Sequence, residues 1–201
     1  MKNLTREELT RTAHHYYPAG FPVETDDANQ SLHPYQRTPE YQRWVAAWDG
    51  ALTWKEWDTF LEEVHTAFPG HEAGDVTQPR MSACLRCCVY LKESQPEGGE
   101  RVTRVAAAVS VLAPVYHVYV TTQTVWFRQR STRPQLFTEP PSTVGAYVDR
   151  LARLIEQRLG YKPFPSQWAS IPLPELRVSY LKREQPTLLT ALLSDHLENL
   201  P

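Results

Sequence analysis

The chain has no apolar run approaching the ~18 residues that cross a bilayer. Its first residues, Met1-Lys2-Asn3-Leu4-Thr5-Arg6, lead into a polar segment with no apolar leader core. Neither a membrane span nor a secretory signal is therefore expected. Cysteine is scarce too: there are three, all between Ser82 and Tyr90, spaced C-x-x-C-C. An odd number on one short segment gives no disulfide framework, which predicts a cytoplasmic protein with reduced thiols. Phosphate loops of the G-x-x-x-x-G-K-[ST] or G-x-G-x-x-G type are missing, as is the G-x-S-x-G elbow of hydrolases. Net charge is small, −2 over 201 residues, which argues against a basic nucleic-acid binder.

Proline and the large aromatics are plentiful. Seventeen prolines point to long ordered loops, and six tryptophans with ten tyrosines supply bulky pieces for a core or an interface. A composition of 41% apolar and 22% charged residues is that of a globular chain, and the length suits a single domain over residues 1–201. The charge is unevenly spread. Residues 1–80 carry 7 Lys/Arg against 13 Asp/Glu, and residues 81–201 carry 14 against 10. The acidic part suits a basic partner, or simply presents solvated helix faces.

Within residues 1–80 a short helix over about 1–13 is capped by Thr5, and a proline-broken loop follows. Thr38-Pro39-Glu40 starts a second helix with Tyr41, Trp44, Val45 and Trp48 on its apolar face, closed by Gly50. Thr53 to Glu56 has the form of a capping box. Behind it, Trp54, Trp57, Leu61, Val64 and Phe68 make a second stripe, so a helical hairpin is expected.

From about residue 81 the hydrophobic period changes to two. Ala83, Leu85, Cys87, Val89 and Leu91 alternate with Cys84, Arg86, Cys88 and Tyr90, and two further strands follow, "RVTRVAAAVSVL" and "VYHVYVTTQTVWF". Their order predicts an antiparallel meander over 81–130. Residues 131–141 read as a loop, Ser142 to Leu159 as a helix capped by Gly160, "LRVSYL" as a short strand, and Thr187 as the start of a final helix with Leu188, Leu189, Leu192, Leu193 and Leu197. The fold class expected is α+β, an antiparallel sheet of about three to five strands with helices packed on it.

Several residue groups are candidates for chemistry. Cys84 and Cys87 form one C-x-x-C without a second pair, though His65 or His71 would complete a zinc site. On a strand the two cysteines point to opposite faces, so a structural role is expected, with neither metal nor redox function. His14, His15 and His33 with Glu24, Asp26 and Asp27 are ligand types for zinc or iron but lack an ordered spacing. His117 is read as a packed strand histidine or a general base. Arg128, Arg130 and Arg133 form a small basic cluster able to touch anions.

Four stretches carry a family resemblance: "YYPAGF", the helix start "TPEYQRW", Trp57 to Phe60 before "FPG", and the strand "CLRCCVYL". With these the chain resembles the immunity protein 52 family of bacterial polymorphic toxin systems. The resemblance implies an α+β protein, not an enzyme and without cofactor, that binds and neutralises a cognate toxin. Toxins paired with such proteins are often nucleases of the restriction-endonuclease fold. A nuclease has a cationic surface for its phosphate substrate, and an inhibitor presenting carboxylates gains a fast, salt-dependent on-rate against it. The acidic candidates are Glu24, Asp26 and Asp27 on the loop, Glu62 and Glu63 on the helix that carries the second stripe, and Glu72 and Asp75 after it. The alternatives are a metal-dependent hydrolase built on His14 and His15, or an adaptor protein.

Overall fold

A computed structural model describes residues 4–21, 33–126, 131–137, 139–181 and 185–200. A twisted antiparallel sheet with helices packed on it organises a single α+β domain. The strands are β1 (Glu72–Asp75), β2 (Cys84–Gln95), β3 (Gly99–Ser110), β4 (Val115–Trp126), β5 (Gln135–Phe137) and β6 (Lys162–Pro163). They lie in the order β1-β2-β3-β4-β5, and β6 pairs parallel with the start of β4. The sheet thus has six strands, one more than the sequence suggests. The short strands β1, β5 and β6 are too brief to show a hydrophobic period, and β5 lies where a plain loop is expected.

The three long strands follow from their residues. β-branched and aromatic side chains alternate along them, and the turn at Pro96–Gly98 reverses the chain with Gly98 at φ +86, in the left-handed region that glycine accepts freely. Gln95 then pairs with Gly99, and the ladder continues unbroken to Cys84 and Ser110.

The helices are α1 (Arg6–Tyr16), α2 (Pro39–Ala51), α3 (Lys55–Ala67), α4 (Gly145–Leu159) and α5 (Leu188–Leu192). Thr5 and Glu8 form a reciprocal capping box at α1, and the Thr38 hydroxyl caps α2 by accepting from the Tyr41 N–H. The third start differs from expectation. Trp54 is the N-cap of α3 without a side-chain cap, while the Thr53 hydroxyl donates back to the carbonyls of Asp49 and Gly50 and so finishes α2.

The helical hairpin is not formed either: α2 packs on α1, whereas α3 packs on α4 and β1. The reason is the direction of each apolar stripe. In α2 the buried Trp48 donates its indole N–H to the Ser82 carbonyl, 3.0 Å away, and Trp44 packs on Tyr180. In α3, Trp57 reaches Asp75 at the end of β1. Each helix therefore spends its aromatics on a different part of the core.

Cross-strand pairing sorts the sheet into two faces. Leu85, Val109 and Tyr116 share the face toward α4, where the Tyr116 hydroxyl donates to Glu156 at 2.7 Å. Cys84, Arg86, Cys88 and Tyr119 share the other, which the C-terminal segment covers through bonds from Arg86 to Ser194 and to the Asn199 carbonyl. Residues 84–89 are buried on both sides, as in a central strand. The final helix is shorter than expected, ending at Leu192, and "LRVSYL" is no strand: only Leu176 makes a bridge, to Ala19. That bridge, the Gly20 N–H on the Glu175 carbonyl, and the Tyr17 hydroxyl on the Ala191 carbonyl fasten the "YYPAGF" segment to the C-terminal part of the chain. No helix among the described residues is long and apolar enough to cross a membrane.

Candidate partner-binding surface

After α3 the chain turns through Pro69-Gly70 and returns as the edge strand β1, so that Asp75 comes back to Trp57 in the first turn of α3. Glu62 and Glu63 thus stand on α3, and Glu72 and Asp75 on the strand β1 that packs against it. Their states differ. Glu63 is half-buried and pairs with Arg158 of α4 at 2.5 Å, and Glu72 is exposed and pairs with Lys92 at 2.7 Å. Asp75 accepts from the Thr77 backbone N–H at 2.8 Å and from the Trp57 indole at 3.5 Å, an Asx-type turn that ends β1. Glu62 and Asp75 are exposed with no cation in ion-pair distance among the described residues, and of the two only Asp75 has hydrogen-bond donors on its carboxylate.

Two carboxylates that the sequence reading passed over share that condition. Glu56 and Asp58 stand on the solvent side of α3, and Asp58 lies one turn from Glu62. Elsewhere in the first 80 residues, Glu7 pairs with Arg6, Glu40 with Arg43 and Asp49 with Arg80. Among the described residues of this part, Glu56, Asp58 and Glu62 on α3 and Asp75 at the end of β1 are thus left without a cation in ion-pair distance, as is Glu8, whose carboxylate caps α1. The signal of the α3 carboxylates in the sequence was the polar side of the same 3.6-residue pattern whose apolar side predicted the helix. The loop candidates Glu24, Asp26 and Asp27 lie outside the described residues, as do Arg128 and Arg130. Arg133 is exposed just before β5.

The remaining candidates are structural in their surroundings. Cys84, Cys87 and Cys88 are buried free thiols, with Cys84 and Cys87 on opposite faces of β2. Burial pushes the Cys87 thiol well up, and that of Cys88 up to about 12, so neither is a thiolate near neutral pH. His117 is half-buried on β4 with its ring stacked on Tyr119, and burial lowers its pKa. His14 lies 3.1 Å from the Glu175 carboxylate, and His15 meets Tyr16 edge to face. Among the described residues no three His, Cys, Asp or Glu side chains are grouped to hold a metal.

In the sequence His71 is a candidate only as a zinc ligand. It stands instead in the turn before β1 with its ring nitrogen 3.1 Å from the Tyr147 hydroxyl of α4, between two clefts. No pattern in the sequence links positions 71 and 147. No protein-family model, curated protein or solved structure matches the chain, and what these surfaces do follows from their own chemistry.

Proposed function

We propose that this chain is an immunity protein, which binds a cognate toxin and neutralises it without catalysis. The observation that carries the reading is the solvent side of α3: Glu56, Asp58 and Glu62 are held in fixed positions by a buried aromatic stripe and matched by no cation of the described residues. Asp58 and Glu62, one turn apart on the helix, with Glu56 on its other flank, attract a cationic partner over a Debye length and orient it on approach. A nuclease that must hold a phosphate backbone presents such a surface. The resemblance to the immunity protein 52 family supports the same partner class, with a nuclease of the restriction-endonuclease fold acting in the cytoplasm as its target.

The test is co-expression with the product of the gene directly upstream. Survival of the cells together with a complex that co-purifies supports the reading. Toxicity without rescue, or rescue without a complex, overturns it.

A further inference from the structure

The long strands outrun the helices that cover them. Each of β2, β3 and β4 has twelve residues, a length of about 40 Å. α4 has fifteen, about 22 Å. Along the face toward α4 the strands change character where the cover ends. Val89, Val105 and Val120 are the last fully buried apolar residues, and Leu91, Thr103 with Arg101, and Thr122 follow them on β2, β3 and β4. This polar extension forms a cleft of about 400 Å³, closed on one side by the first turn of α4 and on the other by His71.

The chemistry of the cleft is graded. On its floor the hydroxyls of Thr103 and Thr122 sit side by side, 3.5 Å apart. Lys92 at the rim is held by Glu72, while Arg101 has no carboxylate in ion-pair distance among the described residues. Among the described residues Glu93, opposite Arg101 across the strands, is the one carboxylate lining the cleft. At the other end, Tyr147 stacks on Phe68 with ring centroids 6.0 Å apart and is fixed by its bond to His71. Beyond it a second cleft of about 350 Å³ runs past Phe68 to Arg150, whose guanidinium lies over the Phe68 ring.

We propose that this cleft binds a small aromatic carboxylate, with its ring against Tyr147 and its carboxylate between Arg101 and the two threonine hydroxyls. An unpaired guanidinium with hydroxyl donors matches an oxyanion, and a fixed aromatic wall matches a planar ring. Glu93 beside Arg101 favours a monoanion over a doubly charged phosphate. The site stands apart from the acidic side of α3 and holds whether or not the chain neutralises a toxin.

The experiment is titration of the full chain with 3-phenylpropanoate, followed by backbone amide NMR shifts and calorimetry. Saturable shifts confined to the surroundings of His71, Arg101, Thr103, Thr122 and Tyr147 are expected. Arg101→Gln, an exposed position that leaves the rest of the spectrum in place, weakens binding by about tenfold or more. Acetate, which lacks the ring, and phenethylamine, which lacks the acid, each bind about tenfold more weakly than the probe or worse. Absence of saturable shifts, equal binding by Arg101→Gln, equal binding of acetate, or tighter binding of phenyl phosphate would each overturn the assignment.

Discussion

The guanidinium of Arg86, buried near the start of β2, donates to the backbone carbonyl of Asn199 at 3.1 Å. The same group donates to the Ser194 hydroxyl, and Asp195 supplies a nearby negative charge. A buried cation thus fastens the last part of the chain to β2.

Arg86→Ala removes both bonds and leaves the Asn199 carbonyl without this donor, while the Ser194 hydroxyl keeps the His196 N–H. The expected loss is about 3 kcal/mol in urea unfolding. Amide exchange at Ala83, whose N–H donates to the Leu193 carbonyl, should accelerate along with it. A variant as stable as the wild type would show that the C-terminal segment is held by its leucines alone.

Reversal of the α3 charges tests the proposed partner surface. Asp58→Lys combined with Glu62→Lys should slow association with the toxin about tenfold or more at low salt and much less at high salt. Asp26→Lys with Asp27→Lys, measured in parallel, assigns a share to the loop. A loss that is the same at both salt concentrations excludes long-range attraction as the cause.

His117 gives the stability a pH dependence whose sign is fixed by burial. Its folded-state pKa is lowered, so the unfolded chain takes up the proton first. The stabilisation is whole above the unfolded value of about 6.5 and is lost as the pH falls through the lower folded value. Wild-type protein should therefore lose more stability than His117→Gln between about pH 7 and about pH 5. Parallel losses, read from urea midpoints, would remove His117 as the source.

Two glycines should respond in opposite ways to alanine. A Cβ at Gly99 would come within 2.6 Å of the Val125 carbonyl oxygen and 3.3 Å of the Trp126 Cα, so Gly99→Ala forces β3 and β4 apart and costs about 1–3 kcal/mol. Gly50, inside α2 with nothing within 4 Å, gains up to about 1 kcal/mol in the same exchange. Thermal unfolding of the two variants reads both signs.

The elements that were legible in the sequence are those whose period is long enough to repeat. The amphipathic stripes of α2, α3 and α4 and the alternation along β2, β3 and β4 appear where expected, and so do the caps at Thr5, Thr38 and Gly160. β1, β5 and β6 have four, three and two residues, and only pairing with a neighbour defines them. The misplaced hairpin has the same origin. A stripe tells that Trp48 and Trp57 are buried, but Trp48 is drawn to Ser82 and Trp57 to Asp75, and these partners are set by the tertiary fold. At the acidic surface, residue type was legible and compensation was not: Arg158 lies 95 positions beyond Glu63, and Lys92 20 beyond Glu72.

The fastening of the Tyr17 hydroxyl to the Ala191 carbonyl, 174 positions apart, bears on how the protein is made. The β2-β3-β4 meander consists of neighbouring hairpins and can assemble while the chain is still being synthesised. The contacts of α1 with α5 and the covered face of Arg86 cannot, because they require residues 188–199 to have left the ribosome. Until then the nascent chain holds a half-clothed sheet with the guanidinium of Arg86 uncovered on one face. A ribosome stalled shortly before residue 188 should present a protease-sensitive intermediate with a formed meander, and release should convert it to the closed form in one late step.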